Sequence, residues 1–139
     1  MEPDGLTTWM SSFDQAETVS RLREAITDLG MTISAQIDHD VAAEAAGLKL
    51  RPTCVLLFGN AHAGTPLMVA APTIAIDLPL KALVWTDEDG RTWLACNEPG
   101  WIAARHGVRT GVELQLGAMR RALATVADRA TRRAPAPPP

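Results

Sequence analysis

The sequence predicts an α+β fold: a two-layer domain with a mainly antiparallel sheet of about five strands, helices on one face and an extra C-terminal helix. Three observations carry this expectation. Met31, Ile33, Ala35 and Ile37 alternate with Thr32, Ser34 and Gln36, the period-2 signature of a half-buried strand. Cys54 to Phe58 is an apolar run without polar alternation, which predicts a central strand buried on both faces. Val112, Leu116, Met119, Leu123 and Val126 recur at 4-3-4-3 spacing, the narrow apolar stripe of a long helix spanning about 111–130.

The elements follow in order. Residues 6–11 read as a weakly alternating first strand. Ser12 or Asp14 caps the next helix, with Gln15 or Glu17 three residues on as in a capping box. Its stripe is Val19, Leu22, Ile26 and Leu29, Glu17 and Arg21 pair on its wet side, and Gly30 ends it. After the strand at 31–37, Asp38 or Asp40 caps a short helix that turns Val41, Ala45 and Leu48 inward. Pro52 delays the central strand to about Thr53, because proline has no N–H for an interior ladder.

Gly59-Asn60 then turns the chain. Thr65 is the expected N-cap of a short helix, with Pro66 at its first position and Leu67 to Ala71 as its body. Pro72 interrupts it and Asp77-Leu78-Pro79 makes a corner into a strand at 80–85. Asp87-Glu88-Asp89-Gly90 is a hairpin turn, since Asp-Gly tolerates positive φ, and Thr92 to Cys96 returns. Asn97 caps a helix at 101–106 that Gly107 closes. The Pro-rich tail at 132–139 is expected to be extended and disordered.

The totals exclude several classes. One domain of 139 residues buries a working core without disulfide or metal staples. A net charge of −3 gives no electrostatic reason to expect nucleic acid, and the arginines around 120–133 read as a solvated face. No apolar stretch is long enough to span a membrane. The start, Met-Glu-Pro-Asp-Gly-Leu, lacks the basic and hydrophobic segments of a secretory signal. Two cysteines without a Cys-x-x-Cys motif fit a reducing cytoplasm, the expected location.

Candidate chemistry concentrates in residues 51–81. Arg51 and Asp77 are candidates for an ion pair or, through the arginine fork, for an anionic ligand. Asn60, His62 and Thr65 lie on a loop entering a helix N-terminus, where free N–H groups bind anions. The loop lacks the lysine of a phosphate-binding Gly-x-x-x-x-Gly-Lys-Thr motif, so turn and cap geometry is the favoured reading. Lys81 completes the ligand-binding set. Cys96 is the reactive-thiol candidate, close to a helix start that lowers a thiol pKa. His39, His62 and His106 show no metal-ligand spacing with Asp38, Asp40 or the cysteines, so no metal and no cofactor is expected. Trp85, Trp93 and Trp101 serve the core, an interface or a pocket.

From about residue 6 to 108 the chain resembles the bacterial and archaeal DUF302 family, a domain of unknown function. The carrying residues are Glu17-Thr18-Val19, Asp38-His39, Gly47 to Pro52, Phe58-Gly59-Asn60, Gly64-Thr65-Pro66-Leu67-Met68, Asp77-Leu78-Pro79-Leu80, Trp85 to Gly90 and Ala103 to Gly107. The resemblance implies a two-layer α+β domain and a homodimer, and supplies no catalytic residues. The chain departs from it at Ala61-His62, where family members usually have Pro-Lys, and at Cys96, where they usually carry an aromatic. The expected organisation is therefore a family-like domain over 1–108, an amphipathic helix over 109–131 and the tail. The leading functional expectation is a non-enzymatic homodimeric domain that binds a small organic or anionic ligand. The alternatives are an enzyme built on a Cys/His site and an assembly module without a ligand.

Overall fold

The computed structural model describes residues 2–134 and 138. The elements run β1 (Leu6–Met10), α1 (Gln15–Asp28), β2 (Thr32–Asp38), α2 (His39–Ala45), β3 (Thr53–Gly59) and α3 (Ala61–Ala70). A 3-10 turn (Pro72–Asp77) follows, then β4 (Leu80–Thr86), β5 (Thr92–Asn97), α4 (Pro99–Arg105) and α5 (Glu113–Thr131). The five strands form one sheet in the order β1-β5-β4-β3-β2, with every neighbouring pair antiparallel. Of the expected Pro-rich tail, residues 135–137 and 139 lie outside the described residues.

The core lies between one face of this sheet and the helices. Leu56 and Phe58 of β3, Val84 of β4 and Leu94 of β5 meet Leu22 and Ile26 of α1, all fully buried. Each such side chain contributes about 1.5–3 kcal/mol of gross burial energy. Met119, Leu123 and Val126 of the predicted C-terminal stripe join the same cluster, while Leu116 is only partly buried. The arginines beyond that stripe are not all solvated alone: Arg120 bonds Glu98 and Arg129 bonds Asp28, both at 2.6 Å.

Strand β3 alternates buried and half-buried along its length, so one face is covered and not two. Val55 and Leu57 therefore read as interior in sequence but look outward in the fold. Strand β2 contains a bulge between Ile33 and Ala35 that breaks the expected alternation. Ile33 pairs with core-facing Phe58, whereas Ala35 and Ile37 pair with outward Leu57 and Val55.

The helices also correct the sequence expectations. Asp14 caps α1, accepting from Glu17 N–H at 2.8 Å, and the Glu17–Arg21 pair forms at 2.9 Å. Helix α2 buries none of its residues; Val41 is 60% and nearby Leu48 65% exposed, because the helix hangs off the end of the sheet. Helix α3 starts at Ala61, earlier than expected. The Asn60 side chain accepts from His62 N–H at 2.8 Å and supplies the cap, so Thr65 and Pro66 fall inside the helix. Glu98, not Asn97, caps α4 through Trp101 N–H, and Asn97 instead accepts from Lys81 N–H. Gly5, at φ +80°, lies directly beneath the Trp101 ring, where a Cβ would come within 2.5 Å of the indole.

On the uncovered face of the sheet the registers line up in rows. One row is Thr53, Trp85, Trp93 and Met10, with the two indoles stacked at 6.5 Å. The next is Ile37, Val55, Leu83, Ala95 and Thr8.

Candidate functional site

A cavity of about 500 Å³ opens between β2, the start of α3, the β4 entry and α5. Its walls are mostly apolar. Leu29, Met31, Met68, Leu78 and Met119 contribute large side chains, and Ala118 and Ala122 of α5 leave the space open. Three of the five methionines thus face one cavity, and methionine walls adapt to irregular apolar shapes. Its polar side chains are Thr32, Ser34 and Asn60. Among the described residues, no charged, histidine or cysteine side chain lines it. This volume and composition suit an uncharged organic molecule oriented by a few hydrogen bonds.

The local chain explains this recess. Asn60 turns the backbone from β3 into α3, and its carbonyl accepts from Ala63 and Gly64 N–H groups. The side chain takes His62 N–H as well. The His62, Ala63 and Gly64 N–H groups are therefore spent on Asn60 and are not free for the candidate anion site. The small residues Gly59, Ala61, Ala63 and Gly64 keep the cavity wall thin on this side.

The fold disperses the other candidates from the sequence. Of the proposed ligand set only Asn60 lines the cavity; His62 and Thr65 are exposed on α3. Arg51 lies at the opposite end of β3, a seven-residue strand about 20 Å long, and its Nε donates to Thr86 O. Lys81 folds back to donate to Asp77 O and Pro79 O. The Arg51–Asp77 pair does not form, because Asp77 is engaged elsewhere. Arg105 Nη1 donates to both of its carboxylate oxygens at 2.8 Å, and His106 Nε2 bonds Oδ2.

The second His106 nitrogen, Nδ1, shares a 2.9 Å hydrogen bond with Thr73 Oγ1. This hydroxyl–imidazole–carboxylate chain ties the 3-10 turn to the end of α4. None of its three residues lines the cavity, so it acts as a clasp between elements. Hydrogen bonding from His106, with Arg105 beside it, holds the Asp77 carboxyl below its ordinary value of 3.8. A depressed carboxyl stabilises the fold above its unfolded pKa, and that contribution is lost as the pH falls through the lower folded value. Asp77→Asn should therefore cost about 1–3 kcal/mol at pH 7 and flatten the acid limb below about pH 4. Urea unfolding at pH 7 and pH 3 checks this; equal pH dependence in both proteins would remove the clasp.

Cys96 is fully buried, and burial pushes its thiol up to about 12. The helix start expected to acidify it is capped by Glu98, and Cys96 faces the core instead. Cys54 is also pushed up to about 12, by burial first and then by its hydrogen bond to Asp38. Neither thiol is a nucleophile at neutral pH. Sequence reasoning missed the walls supplied by Leu29, Met31 and α5, because they come together only in the fold. Ala118 and Ala122, small residues one turn apart, were the available signal for a recess.

An antiparallel sheet under one helical layer, with a small apolar cavity at its end, describes a compact α+β domain with room for one small molecule. The profile described as "Domain of unknown function DUF302" matches residues 7–126, and the chain belongs to this family. The match runs past residue 108 and includes most of α5. A crystal structure of an uncharacterized conserved DUF302 protein from Bacillus stearothermophilus superposes with a TM-score of 0.81 at 19% identity. It covers 92% of this chain and 99% of the other, and establishes the shared fold. Over 115 residues the chain is 40% identical to proteins named fluoride-specific ion channel FluC 1 from Brucella suis and Brucella abortus. That stretch is 83% of this chain but only 45% and 43% of those proteins, so the chain spans less than half their length.

Proposed function

We propose that this domain is a non-enzymatic binder of a small, uncharged, largely apolar organic molecule held in the cavity beside Asn60. The observation that carries this reading is the lining itself: about 500 Å³ of apolar wall with Thr32, Ser34 and Asn60 as its polar side chains. The absence of titratable side chains from that wall among the described residues favours binding over acid–base or thiol chemistry there. It also favours the small organic ligand over the anionic one, both of which the sequence left open. Two buried free thiols suit a reducing cytoplasm.

The channel activity in the relatives' name is not carried over. No helix among the described residues is long and apolar enough to cross a membrane, and the match leaves more than half of each relative unaccounted for. The shared stretch is better read as an accessory domain of those proteins than as their pore.

The uncharged fluorescent probe N-phenyl-1-naphthylamine tests the binding reading. Its emission should rise and saturate with the native protein. Ala122→Phe, which places a ring in the cavity, should weaken binding at least about tenfold with an unchanged circular dichroism spectrum. No saturable binding, or equal binding by the filled variant, would discard this site.

A further inference from the structure

We infer, resting on the binding role proposed above, that the molecule taken by the cavity is a planar aromatic bearing a neutral oxygen acceptor, a ketone or quinone in type. The walls set the shape. Small residues form two of them: Gly59, Ala61, Ala63 and Gly64 where β3 turns into α3, and Ala118 and Ala122 one turn apart on α5. Walls without branched side chains leave flat faces, against which a ring lies closer than a puckered aliphatic skeleton does.

The thioethers set the chemistry of the body. Met31 comes from just before β2, Met68 from α3 and Met119 from α5, so sulfur reaches the cavity from three elements. Thioether sulfur makes favourable contacts at the edges of aromatic rings. No aromatic side chain lines the cavity among the described residues, so the protein supplies no ring for these sulfurs there. The polar groups set the substituent. Thr32 pairs with Gly59, which brings Thr32, Ser34 and Asn60 together at the β2–β3 end of the cavity. All three are exposed whereas Met119 is buried, so the polar group of the ligand sits at the mouth and its ring points inward. Asn60 Oδ1 accepts from His62 N–H at 2.8 Å, which fixes the orientation of the amide and turns its NH2 the other way. That donor calls for an acceptor, and a carbonyl oxygen conjugated to the ring supplies one without charge.

Competition against N-phenyl-1-naphthylamine tests this with 2-acetylnaphthalene and its decahydro analogue, the same ketone on a saturated skeleton. The saturated ketone is the more hydrophobic, so apolar burial alone favours it. The aromatic ketone should instead bind at least about tenfold more tightly. Met68→Leu combined with Met119→Leu, which nearly conserves volume, should narrow that ratio to about threefold or less. Asn60→Asp keeps the cap oxygen but removes the donor, and should weaken the aromatic ketone at least about fivefold with an unchanged circular dichroism spectrum. Equal or tighter binding of the saturated ketone overturns the inference, as does an aromatic preference that the double leucine variant leaves intact. So does full affinity in Asn60→Asp, or saturable binding of the naphthylamine that neither ketone displaces. Absence of saturable binding by the native protein for all three compounds is a different failure: it discards the cavity as a binding site, and the ligand class with it.

Discussion

Replacing Phe58 by alanine is expected to destabilise the domain by about 3–5 kcal/mol, the largest effect of any single truncation proposed for this chain. Phe58 is the largest fully buried side chain among the described residues, in one core cluster with Leu22, Ile26 and the β4 core positions. Truncation removes its transfer energy and leaves a void that the surrounding sheet and helix close only in part. For a domain of this length the melting temperature should fall by about 10 °C or more. Val69→Ala, at a side chain 78% exposed, should stay within about 0.5 kcal/mol. Urea denaturation of both variants is the measurement. A cost below about 1 kcal/mol for Phe58→Ala would place this side chain outside the cooperative core.

The second large effect concerns the thiols. With both pushed up to about 12, the thiolate fraction at pH 8 is about 10⁻⁴, against roughly a tenth for a cysteine at the ordinary value of 9.0. Burial blocks approach of the reagent as well. Alkylation by iodoacetamide at pH 8 should be at least about a thousandfold slower in the native protein than in urea. The same shifts fix the sign of an alkaline effect. The unfolded state ionises near the ordinary value of 9.0 while the folded state keeps its protons, so stability falls as the pH rises from about 9 towards 12. Fast native labelling of Cys96 would restore the thiol-enzyme reading.

The fold was legible where periodicity and local chemistry agree. The stripe through Leu22 and Ile26, the Asp-Gly hairpin and the C-terminal helix are each specified by residues near in sequence, and the resulting α+β architecture follows. What the sequence concealed depends on distant partners. Val55 and Leu57 are as apolar as Leu56 and Phe58, so composition cannot distinguish a covered face from an open one. Asn60 carries the same cap chemistry as Thr65, and its earlier position claims the helix. The cavity joins β2, the start of α3 and α5, and although Gly59 to Ala61, Ala63 and Gly64 of the loop singled out at first line it, Asn60 is the one residue of the proposed ligand set among them. Arg51 and Lys81 were grouped with that loop by closeness in sequence, although a full strand separates Arg51 from it.

Ser34, at the break between the Phe58 and Leu57 pairings, has a consequence beyond accommodating Ile33 and Ile37. An extra residue in an outermost strand bends that strand and leaves its donors and acceptors out of step with any newcomer. A straight, regular β2 would extend the sheet's ladder to whatever chain came alongside, without limit and without regard for partner. With this insertion the β2 border of the sheet is a poor template for a further strand. One residue thus keeps this outermost ladder from offering a regular template to another strand.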